Sequence, residues 1–60
     1  MTRVERNEII AEFTDTLDDL QLVANLLRKA GESRRASNVE DVVSILANEL
    51  VLFLREAKPS

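Results

Sequence analysis

The side chains with the most chemical potential are four carboxylates, Glu8, Glu12, Asp15 and Asp19, spaced at steps of four, three and four. On a helix that spacing lines them along one outward stripe, with Asp18 beside it. Such a stripe suits a docking face for a basic partner, a carboxylate metal site, or a plain solvated face. Bundle metal sites combine inward carboxylates with histidine at Glu-x-x-His spacing, and a chain with no His and no Cys cannot supply that set. No metal and no cofactor is expected. The stripe continues into Leu22 and Leu26, which follow Asp19 by steps of three and four. Leucines on a face that otherwise reads as solvent are a hot spot for another protein, the cover of a second bundle in a tetramer, or incidental. Glu8, Glu12, Asp15, Asp19, Leu22 and Leu26 are the candidate partner-binding residues.

Catalysis finds no support. There is no His, Cys, Tyr or Trp, the chain has a single Gly, and no carboxylate pair sits in an apolar context that would tune it. The chain is read as a non-enzyme with no catalytic residue. Eleven acidic residues against eight basic ones give a net charge of −3, the wrong sign for neutralising phosphates. The cations do collect at the tips: Arg28, Lys29, Arg34 and Arg35 near the centre of the chain, Arg3, Arg6, Arg55 and Lys58 near its ends. Basic tips could touch a nucleic-acid backbone, but no aromatic residue interleaves them, so nucleic acid ranks below protein as a partner. Arg34-Arg35-Ala36-Ser37 has the form of a basic-directed kinase site, a short match that arises easily by chance.

These residues must be positioned by helices. The apolar residues repeat at helical spacing on both sides of one break, residues 31–38, which contains the only Gly. Helix one is expected over about residues 3–30, opened by the capping box Thr2-x-x-Glu5 and closed by Arg28, Lys29 and Gly31. The loop is expected over about 31–37, and helix two over about 38–57, opened by a second capping box, Ser37-x-x-Glu40. Pro59 lies beyond the expected stop near Ala57 or Lys58.

Register then sets the packing. Ile10, Phe13, Leu17, Leu20, Ala24 and Leu27 alternate steps of three and four, and so do Val39, Val43, Leu46, Leu50, Phe53 and Ala57. Two such heptad seams joined by a short loop pack as an antiparallel αα-hairpin. Helix two carries more apolar residues than one seam uses: Val42, Ile45 and Leu52 on one flank, Ala47, Val51 and Leu54 on the other. A helix apolar around most of its circumference needs neighbours on more than one side. Sixty residues are also few for an unaided core, and without Cys or His the remaining supplement is association.

The expected fold is therefore all-α: a single helical-hairpin domain over residues 1–60 that assembles as a homodimeric four-helix bundle. Its expected interface is Val42, Ile45, Leu46, Leu50, Val51, Leu52, Phe53 and Leu54. A dimer is the simplest closed solution, and a tetramer would use Leu22 and Leu26 as well. No membrane is expected, since the most apolar window, residues 42–54, is broken by Ser44, Asn48 and Glu49 and falls short of the roughly twenty residues a bilayer needs. The first residues lack the apolar run of a signal peptide, and absence of Cys suits a reducing cytosol, so a cytoplasmic protein is expected. The resulting functional expectation is a small non-enzymatic regulator or adaptor acting through protein–protein contacts. A nucleic-acid-binding regulator and a purely structural oligomerisation module are the alternatives.

Overall fold

Thr2 opens the first helix with its backbone extended, and its hydroxyl oxygen accepts the Glu5 N–H at 3.1 Å. The same hydroxyl donates to the Glu5 carboxylate at 3.1 Å, while the Thr2 carbonyl takes the Arg6 N–H at 3.0 Å. Half of the expected capping box thus forms: Thr2 caps the Glu5 N–H, and the Glu5 carboxylate bonds the Thr2 hydroxyl in place of its backbone N–H. In this computed structural model, which describes residues 1–56, the helix α1 runs Arg3–Lys29. Its threonines are satisfied internally: Thr14 and Thr16 donate to the carbonyls of Ile10 and Glu12, each at 2.8 Å.

The end of α1 is closed by Gly31, whose φ of 82° lies in the left-handed region that only glycine enters cheaply. That turn lets the Glu32 N–H reach the Leu27 carbonyl at 2.8 Å and the Gly31 N–H reach the Arg28 carbonyl at 3.0 Å. This is the Schellman arrangement, and it satisfies carbonyls that the helix end would otherwise orphan.

Helix α2 runs Ser33–Glu56, so it begins well before the expected residue 38 and the expected loop over 31–37 shrinks to residues 30–32. Beyond Gly31 nothing resists helix: Glu32 to Asn38 contains neither Gly nor Pro. The first bond of α2 runs from the Ala36 N–H to the Glu32 carbonyl at 3.0 Å, which puts Glu32 in the capping position. Ser37 is consequently inside the helix, where the amides it was expected to cap are already used. The early start also carries the seam back to Ala36, three residues before Val39 and fully buried. The expectations placed on Ala57, Lys58 and Pro59 lie outside the described residues.

α1 and α2 pack against each other as an antiparallel hairpin, and the described residues contain no strand. Every described seam residue is buried or half-buried, from Ile10 to Leu27 in α1 and from Val39 to Phe53 in α2. The molecule measures 48 × 16 × 9 Å between Cα atoms, which is two helices wide and one helix thick. A single layer cannot enclose a core, because a core forms between two layers. Accordingly only Ala24 and Ala36 are fully buried among the described residues, and no larger side chain is.

Candidate functional site

A polar clamp reveals which edges of the two helices adjoin. Arg28 Nη2 donates to Glu40 Oε1 at 2.5 Å and Gln21 Nε2 donates to Glu40 Oε2 at 3.3 Å. The bond from Arg28, helped by the one from Gln21, holds the Glu40 carboxyl below the ordinary carboxylate range, and the same contact raises the Arg28 guanidinium. Gln21 and Arg28 are seven residues apart, each directly following a seam residue, and Glu40 likewise follows Val39. Residues that follow the seam at Leu20, Leu27, Val39, Leu46 and Phe53 therefore line one face of the slab. At the far end Arg6 occupies a seam position, four residues before Ile10. It donates to the Leu54 carbonyl at 3.3 Å, one of the last carbonyls of α2, while its Nε is buried without a partner.

The opposite face collects residues that precede the seam: Ile9, Thr16 and Val23 from α1, Arg35, Val42, Glu49 and Glu56 from α2. Asn38, Ile45 and Leu52, at seven-residue spacing, lie one row further out on the same side of α2. Of these, Ile9, Val23, Val42 and Ile45 are exposed, Ile45 by 62%, and Leu52 is half-buried. The clamp face is different. Its loop half is Asp18, Gln21, Asn25, Arg28, Ser37, Glu40 and Ser44, and its large apolar residues, Val4, Val51 and Leu54, gather toward the open end.

Ten large apolar side chains among the described residues are 41–75% exposed. A compact monomer of this mass exposes roughly 4,000 Å², whereas this chain exposes 4867 Å². Each half-exposed aliphatic residue that found cover would add about 1 kcal/mol.

Of the expected interface residues, Val42, Ile45, Val51 and Leu54 are exposed, while Leu46, Leu50, Leu52 and Phe53 are half-buried. Leu46, Leu50 and Phe53 belong to the seam against α1, so they serve the hairpin itself. The expected interface is therefore two flanks separated by that seam. The expected partner-binding residues Glu8, Glu12, Asp15 and Asp19 are all exposed, and none takes part in an ion pair among the described residues. No three acidic side chains among the described residues converge closely enough to hold a metal ion. Leu22 and Leu26 are 55% and 56% exposed on the same helix, one turn beyond the carboxylates. Of the basic tip, Arg28 is engaged by Glu40, and Arg35 lies 3.5 Å from Glu32 in an exposed pair that stabilises little.

Sequence reasoning missed the clamp because Glu40 already had a role as a capping residue. Its position directly after a seam residue, matching Gln21 and Arg28, is the signal that identifies it. No helix among the described residues is long and apolar enough to cross a membrane. Comparison with models of protein families, with curated proteins and with solved structures found no match.

Proposed function

We propose that the chain is a small, non-enzymatic adaptor or regulator that works in the cytosol as a homodimeric four-helix bundle and binds another protein through the outer face of α1. The observation that carries this reading is the unfinished core: a hairpin one helix thick, with no side chain larger than alanine buried among the described residues. A second copy supplies the missing layer at no cost in new sequence, and two-fold symmetry closes the assembly. Glu8, Asp15 and Leu22 then face away from the second layer with Glu12, Asp19 and Leu26 at its rim, and this stripe suits a segment with basic and apolar side chains.

The test separates folding from binding. Leu22→Asp with Leu26→Asp is expected to leave helicity and oligomeric mass unchanged while a partner captured by wild type is lost. Capture that survives the double substitution would remove this face from the account. Binding of nucleic acid is the competing outcome, recognised by steep salt dependence and by loss on neutralising Lys29, Arg34 and Arg35.

A further inference from the structure

We infer that the two hairpins of the bundle stack through the face bearing Ile9, Val23, Val42 and Ile45, head to tail, so that the loop end of each copy covers the open end of the other. This rests on the dimer proposed above and adds which face is used and in which orientation. The choice of face follows from the clamp. Gln21, Arg28 and Glu40 make their polar network on one side of the slab, and burying it would strip water from charged groups for no gain. The other side carries apolar residues from Ile9 and Leu52 near the open end to Val23 and Val42 near the loop, and its charged residues, Arg35, Glu49 and Glu56, form no ion pair across the seam among the described residues. A broad face measuring 48 by 16 Å offers on the order of 800 Å², what each partner contributes to an interface of standard size.

Orientation is decided by charge. In a face-to-face dimer the two-fold axis lies between the slabs, either along the helices or across them. Both arrangements set apolar residues on apolar ones. An axis along the helices brings the two loop ends together, and each of those ends holds Arg28, Lys29, Arg34 and Arg35 against two carboxylates, Glu32 and Glu40, leaving Lys29 and Arg34 outside the ion pairs among the described residues. Like-charged tips side by side oppose that stacking. An axis across the helices separates the tips and brings Arg35 of each copy to the level of Glu56 of the other. It also lays α1 on α1 and α2 on α2 in opposite directions, with Glu12 and Asp19 of α1 at the solvent-exposed rim. Ile45 sits near the middle of Ser33–Glu56, so it falls close to the axis and faces its own copy. Asn38 and Leu52, seven residues to either side of Ile45, then face each other across the interface.

The cysteine-free chain allows a direct test without removing native thiols. Single variants Ile45→Cys, Asn38→Cys and Leu52→Cys are made, their helicity and mass verified, and each is treated with a short bifunctional maleimide. The head-to-tail stack predicts that Ile45→Cys cross-links to itself in most chains. It also predicts that Asn38→Cys mixed with Leu52→Cys gives the mixed product well above either variant alone. If Ile45→Cys loses the dimer, the mixed pair still decides, since Asn38 is a polar surface residue. A wild-type dimer in which neither cross-link forms, or in which Asn38→Cys cross-links mainly to itself, overturns the orientation and leaves the dimer standing. A wild-type monomer in sedimentation overturns both.

Discussion

At the loop end, Ala24 and Ala36 are fully buried, Gly31 closes α1 with a Schellman turn, and Glu40 ties Arg28 and Gln21 across the seam. At the open end, Phe13 and Phe53 stay half-buried, Val4, Val51 and Leu54 are exposed, and Arg6 reaches over the seam to the Leu54 carbonyl. Small residues explain the first. Alanines at the seam let the backbones approach, so a single pair of helices shields them without a third element. Large residues explain the second. Phenylalanine and leucine extend past the thickness of one layer, so a single partner helix leaves them part-exposed. The hairpin encloses Ala24 and Ala36 with its own atoms, while larger side chains at both ends, Val23, Leu26 and Val42 near the loop among them, stay exposed.

The largest effect is expected in the large-residue half. Leu50→Ala is expected to cost about 2–5 kcal/mol, as for a leucine truncated in a closed core, read from denaturant or thermal melts. A cost well under 1 kcal/mol would mean that Leu50 remains as half-wet as in the lone hairpin. At the closed end the opposite change should hurt. Ala36→Leu has no room and is expected to lose about 1–3 kcal/mol by overpacking, again from unfolding curves; a neutral result would show that the helices separate easily there. Gly31→Ala should cost about 1 kcal/mol. The added methyl would meet no atom within 4 Å, so the penalty belongs to the backbone alone.

The smallest effect is the most specific in pH. Glu40→Gln removes the carboxylate that Arg28 holds, on a partly exposed surface where salt screens the pair. The folded-state pKa of Glu40 is lowered, so its contribution is present above the unfolded value of about 4.3 and is lost as pH falls through the folded value beneath it. The gap in melting temperature between wild type and Glu40→Gln should therefore be open near neutral pH and close under acid. A gap that does not change with pH would assign the effect to packing.

Much of this fold was legible from periodicity. The two seams were readable because steps of three and four leave each apolar residue on one face, and the described members are buried or half-buried as that pattern implies. Gly31 was readable because a left-handed residue ends a helix there. The start of α2 was not, since Ser37-x-x-Glu40 is a valid capping box considered alone. Local propensity could not show that Ala36 would be drawn into the seam or that Glu40 would turn to Arg28, for both depend on where α1 lies. The exposed surfaces follow the same division. Both apolar flanks of α2 could be read from register, and which of them shares a face with the polar residues Gln21 and Arg28 required the clamp.

The central claim, that the hairpin is half of a bundle, is tested most directly by sedimentation equilibrium over a dilution series into the low micromolar range, with far-ultraviolet circular dichroism on the same samples. A dimer is expected to show a mass near twice 6.8 kDa, with helicity falling wherever dilution forces dissociation. A compact, fully helical species of 6.8 kDa at those concentrations would contradict it.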